Sequence, residues 1–141
     1  MKKQLGILTM LLFLGSVAAF SQASKKDGLQ RKYNKQDVLM AEYNYVDGKK
    51  DGKARFFYLD GNIKEEGQYK NGLKQGKWTQ YHPNGEVSGS GEFLNDEKTG
   101  DWKVWDANGE LRFDMEFKNG DKIGTWLMYD DQGELSMKKT Y

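Results

Sequence analysis

His82 is the single histidine of the chain, and it stands beside Tyr81 in "GKWTQYHPNG", residues 76–85. A base next to a phenol suits proton transfer. A Ser-His-Asp triad would have to use this imidazole, and a Cys/His pair is impossible because the chain has no cysteine. Glu65-Glu66 offers two carboxylates, but within a strand they read as solvated surface charge. Aspartates 47, 60, 96, 106, 130 and 131 gather at turn dipeptides without the spacing of a calcium loop. The glycines follow turns between strands and open no helix, so none forms a phosphate cradle. These residue types assign no catalytic residue, no metal ligand and no cofactor.

A reaction centre should occur once, whereas this stretch recurs. "GDWKVWDANG" begins at Gly100, "GTWLMYDDQG" at Gly124 and the looser "GKARFFYLDG" at Gly52, all at a period of 24 residues. Gly52, Gly76, Gly100 and Gly124 share a column, as do Ala54, Trp78, Trp102 and Trp126. A further column holds Phe57, Tyr81, Trp105 and Tyr129. Another holds Ile63, Val87, Leu111 and Leu135, and a last one Tyr45, Tyr69, Phe93, Phe117 and Tyr141. Self-similarity at this period marks a repeat architecture. The repeats lie near 52–75, 76–99, 100–123 and 124–141, with a degenerate copy at 28–51. His82 is replaced by Tyr58, Asp106 and Asp130 in the other copies, so it reads as incidental.

Each repeat carries two turn signals, such as Asn71-Gly72 and Asn84-Gly85, which accept positive φ between antiparallel strands. The intervals leave no room for a helix. The expected fold is all-β: an antiparallel meander of about nine strands in 24-residue hairpin repeats, forming one elongated or curled sheet. Folding at Asn84-Gly85 sets Trp78 opposite Gly91, Gln80 opposite Gly89 and His82 opposite Val87. Folding at Asn108-Gly109 sets Trp102 opposite Met115 and Val104 opposite Phe113. One face then collects Trp102, Val104, Leu111, Phe113, Met115, Phe117, Trp126, Met128, Leu135 and Met137, and the other is polar. Glycines 76, 100 and 124 suit either a bulge or the passage of a ring over bare backbone. The ring is the favoured reading for Gly89 and Gly91, and simple shearing of the strand pairs is the alternative.

Phe57, Tyr81, Trp105 and Tyr129 interrupt the polar face once per repeat. Rings in such a row can stack on sugars or enclose quaternary ammonium groups, and cross-strand packing is the competing role. They are the candidate ligand-binding residues, with Trp78, Trp102, Trp126, Tyr69, Phe93 and Phe117 as structural aromatics.

Residues 1–23 have the layout of a secretory signal: Lys2 and Lys3, an apolar run from Leu5 to Phe20, and small residues at Ser21 to Ala23. Residues 24–41 form an N-terminal segment or cap, and 42–141 the repeat domain. The expectation is export to the periplasm, cell envelope or exterior without disulfides. Removing Lys2 and Lys3 from the 22 basic residues leaves one cation fewer than the 21 acidic ones. That balance supplies no cationic surface for nucleic acid or an anionic membrane. A one-sided sheet needs cover for its apolar face. The sheet packing on itself, residues 24–41 folding back, or a docked partner would each supply it.

"GKWTQYHPNGEV", "GDWKVWDANGEL" and "GTWLMYDDQGEL", each preceded by an aromatic and a polar turn as in "YKNGLKQ" and "FKNGDKI", resemble the MORN-repeat variant family over roughly residues 42–141. The copy from Gly52 departs from the pattern in having Ala54 for tryptophan. The resemblance implies a rod-like or curled antiparallel sheet that serves as a binding or assembly surface. Related repeats are linked to membrane attachment and protein contacts, and bacterial members are often labelled antitoxins, which sits oddly beside an export signal. The resulting expectation is an exported, non-enzymatic protein that presents a sheet to another protein. The alternatives are an envelope module that binds lipid or glycan through the aromatic row, and an antitoxin-like inhibitor.

Overall fold

The structure, a computed structural model, describes residues 27–141. The expected signal, 1–23, lies outside the described residues. Ten strands follow one another: β1 (Gly28–Tyr33), β2 (Leu39–Val46), β3 (Lys49–Phe57), β4 (Ile63–Lys70), β5 (Leu73–Tyr81), β6 (Val87–Leu94), β7 (Glu97–Trp105), β8 (Leu111–Lys118), β9 (Asp121–Tyr129) and β10 (Leu135–Thr140). Each pairs antiparallel with its neighbours, so the strand order in the single sheet is the chain order. The tenth strand, beyond the nine expected, is β1 from the degenerate copy. It joins the sheet edge-on through pairs such as Gln30 with Tyr43 and does not lie across a face.

The turns fall into two kinds that the sequence reading treated as one. Asp47-Gly48, Asn71-Gly72, Asn95-Asp96 and Asn119-Gly120 have positive φ at both residues, the two-residue hairpin turn that matches strand twist. At the opposite rim the connections are five-residue loops. In the loop from His82 to Glu86, His82 N–H donates to Glu86 O and Gly85 N–H to His82 O, and in each such loop one residue takes positive φ, Asp37 in the first and a glycine in the others. A bulge follows every one of them. Trp78–Gly91 and Gln80–Gly89 pair as expected, but Val87 then lies opposite Tyr81 instead of His82. Likewise Trp105 pairs with Leu111 and Tyr129 with Leu135. Because paired residues share a side of the sheet, Leu111 and Leu135 leave the indole face on which they were expected.

The second irregularity sits at Gly76, Gly100 and Gly124. Between Glu66–Thr79 and Gln68–Gln75 the partner strand carries two extra residues, and Gly76 lies in this bulge at φ 68°. Gly100 and Gly124 repeat the geometry at φ 64° and 67°. A side chain there would be strained whatever the space around it.

The core is one-sided and aromatic. Ring contacts run in sequence from Tyr45 through Tyr43, Tyr69, Trp78, Phe93, Trp102, Phe117 and Trp126 to Tyr141, most of them edge-to-face with centroids 4.8–6.5 Å apart. That geometry sets positive ring edges against negative faces. The centre, Ala41, Tyr43, Ala54 and Trp78, is buried, with Trp78 only 2% exposed.

Candidate binding surfaces

Trp78 and Trp102 are each held by two devices, and Trp126 by the second of them. Trp78 lies flat on Gly67, and Trp102 on Gly91, so closely that a Cβ on either glycine would fall within the ring. The expected ring over bare backbone is thus present at Gly91. Gly89 instead faces Gln80 and Lys103 O with ordinary spacing, and the second covered glycine is Gly67. The indole N–H groups then donate to carbonyls beside the bulges: Trp78 to Gln68 O at 3.2 Å, Trp102 to Glu92 O and Thr99 O at 3.2 Å, Trp126 to Glu116 O at 3.1 Å. The bulge frees an acceptor and the indole satisfies it.

The same geometry explains Ala54. One repeat earlier, the positions of Gly67 and Trp78 are held by Tyr43 and Ala54, which pair directly. The large and small partners have exchanged strands, and Tyr43, 6% exposed, fills the space an indole fills elsewhere. In the last repeat Met115 stands in the glycine column, and it lines one apolar hollow together with Trp126.

A column that the sequence reading passed over completes the ladder. Lys50, Lys74, Lys98 and Lys122 recur at the 24-residue period, and each ammonium lies over two rings. Lys74 is 3.9 Å from the Trp78 centroid and 4.9 Å from Phe93, and Lys98 is 4.3 Å from Trp102 and 4.9 Å from Phe117. Such cation–π contacts are worth about 0.5–1 kcal/mol where exposed. The lysine stems also roof the rings, so the sheet in part covers its own apolar face. Burial, with Lys32 and Lys74 nearby, lowers the Lys50 ammonium below the usual lysine range. Burial also drives the Tyr69 hydroxyl up to about 12 and raises that of Tyr43.

The row of Phe57, Tyr81, Trp105 and Tyr129 is half-buried. The bulges give each ring an aliphatic cross-strand partner, in order Ile63, Val87, Leu111 and Leu135. Tyr81 is tied further, its hydroxyl donating to Glu66 at 2.8 Å; burial first, and that carboxylate second, raise its pKa. His82 is a strut between repeats. Its Nε2 lies 3.0 Å from Trp105 O, the contact that Tyr58 makes one repeat earlier by donating to Tyr81 O at 2.7 Å. Asp106 and Asp130 in the same column instead accept N–H groups within their own loops. The Asp106 carboxyl is lowered by those N–H donors and by its ion pair with Arg112. Glu65 and Glu66 are also engaged, Glu65 with Lys74 at 2.9 Å. Among the described residues, no cluster of three or more His, Cys, Asp or Glu side chains could hold a metal ion.

Two openings lie on opposite faces of the sheet. On the polar face a shallow groove of about 400 Å³ is lined by Lys53, Arg55 and Lys77 against Glu66 and Gln68. On the indole face, where the ladder reaches β10, an apolar hollow of about 200 Å³ lies among Phe113, Met115, Trp126, Met128 and Met137. Here the cover fails, with Met137 53% and Tyr141 44% exposed.

The model of the MORN repeat variant matches residues 50–71, 74–95 and 98–119. No curated protein is matched by the chain. Solved structures that share some of its shape include accessory secretory proteins 1, 2 and 3 of Streptococcus pneumoniae, at 17% identity and TM-score 0.40, where the match covers 73% of this chain and 19% of that one. A GtfA/B complex bound to UDP and GlcNAc is similar at 13% identity and TM-score 0.34, over 99% of this chain and 28% of that one. Three consecutive 24-residue hairpins with their turns, aromatic columns and glycines in register place residues 50–119 of this chain in the MORN repeat variant family.

Proposed function

We propose that this is an exported, non-enzymatic repeat protein whose sheet binds another protein. The observation that carries the reading is the asymmetry of the indole face. It is sealed around Trp78 by its own lysines and rings, and left open at Met128 and Met137 beside β10. A row of half-covered methionines and aromatics is the composition of an adaptable protein contact. The groups best suited to catalysis support the same reading, because His82 and Glu65 are each held in inter-strand contacts. Photo-crosslinking tests it. A benzophenone side chain placed at Met137 should yield discrete protein adducts in an envelope extract, and the same group in the loop at Lys35 should not. Equal adduct patterns at the two positions would remove this reading.

The aromatic row supports a second reading, an envelope module for lipid or glycan, since Tyr81 borders two clefts, one of about 120 Å³ with Tyr58 and Lys64 and one of about 380 Å³ with Ile63 and Gly85. Sedimentation with liposomes or purified cell wall, abolished when Tyr81, Trp105 and Tyr129 become alanine, would favour it.

A further inference from the structure

The polar face of the sheet carries a charge column across its strands. On β2, β4, β6 and β8 the column position is Glu42, Glu66, Ser90 and Asp114, and the facing positions on β1, β3, β5 and β7 are Arg31, Arg55, the neutral Thr79 and Lys103. The pairs are made: Glu42 bridges Arg31 at 2.8 Å and Arg55 at 3.0 Å, and Lys103 lies 2.8 Å from Asp114. At β10, the outer strand of the sheet, the sign inverts. The column residue there is Lys138, whose inner partner is the uncharged Leu127. Every residue of β10 is exposed, and alternate N–H and C=O groups of Leu135–Thr140 point away from β9.

We propose that β10 is a docking edge for an extended acidic, aromatic-containing segment of a partner protein, which adds an eleventh strand. This rests on the protein-binding reading above and names the partner's chemistry. Three observations select the occupant. A strand continuing the lattice sets one residue against Lys138, where an acidic side chain is matched and a basic one repelled. The adjacent position on the indole face falls over Lys139, which occupies the column of Met115 and of Gly67 and Gly91, the two glycines on which Trp78 and Trp102 rest. An aromatic side chain there would continue the ladder over the hollow beside Met137. A second copy of this chain is disfavoured, because continuing the repeat with its own β1 sets Arg31 opposite Lys138. Main-chain hydrogen bonds would supply the affinity, and the alternating acid and ring the selectivity.

The test uses the full chain and fluorescein-labelled synthetic peptides, read by anisotropy. One ten-residue peptide alternates Glu with Val and carries a central Trp, a second replaces Glu by Lys, and a third repeats the first with alternate backbone N-methylation. The acidic peptide should bind at least about tenfold tighter than the basic one, the preference should reverse in Lys138→Glu, and N-methylation should abolish binding. Equal binding of the two charged peptides, binding that survives N-methylation, or a Lys138→Glu variant with unchanged preference or no binding to either peptide overturns the proposal. If photo-adducts still form at Met137 in that case, partner binding stands without the added strand.

Discussion

Glycine and tryptophan form one structural unit in this protein although they lie on different strands. Gly91 lacks a side chain because the ring of Trp102 occupies that space, whereas Gly89, two residues away on the same strand, has ordinary clearance. Gly91→Ala must therefore displace an indole and break its bond to Glu92 O, which should cost at least about 3 kcal/mol. Gly89→Ala should stay within about 1 kcal/mol of wild type. Chemical denaturation of the two variants checks this, and similar midpoints would show that the indole does not rest on Gly91. Tyr69 offers a second test. Its folded pKa of about 12 exceeds the ordinary value of 10.0, so the neutral phenol is the form that folding favours. That contribution is complete below pH 10 and is lost as the pH rises from 10 toward 12. Wild type should lose stability over this window more steeply than Tyr69→Phe, as followed by tyrosinate absorbance and circular dichroism.

At the scale of the strand pair, the exchange of Tyr43–Ala54 for Gly67–Trp78 shows what the repeat conserves: one large ring per interface, donated by either strand. Ala54→Trp alone should overpack against Tyr43, and Tyr43→Gly alone should leave a cavity, each costing about 2–4 kcal/mol. Together they rebuild the arrangement of the following repeat. The double variant should be more stable than the sum of the single effects by about 1–3 kcal/mol, measured as a double-mutant cycle. Strict additivity would refute the exchange. This scale is also where sequence reasoning succeeded and then stopped. The period of 24, the antiparallel order and the pairs of Trp78 with Gly91 and Trp102 with Met115 were legible, because hydrophobic alternation and Asn-Gly turns act locally. The pairs of Tyr81 with Val87 and Trp105 with Leu111 were not. They depend on a bulge after each five-residue loop, and its dipeptide signal, Asn84-Gly85, looks like that of the tight turns. The lysine ladder was legible in principle, since Lys50, Lys74, Lys98 and Lys122 share the period, but a lysine is ordinarily read as solvated charge. His82 as a strut could not be seen without knowing that Tyr58 makes the same contact.

As a whole molecule the protein is a row of hairpins in which each strand pairs only with its neighbours and rings reach at most one strand further, so stability is largely a sum of local interfaces and varies along the row. Burial peaks at β2 to β5, around Tyr43, Ala54 and Trp78, and falls away to β10, where every residue is exposed. A self-sealed centre with an open outer strand is what makes the molecule a platform in this account, and amide hydrogen exchange on the isolated full chain reads that gradient directly. Amides of β2 to β5 should be the most protected, with protection declining through β6 to β9 and least at Leu135–Thr140. Uniform protection across all ten strands, or slow exchange at β10 in the absence of any partner, would contradict it.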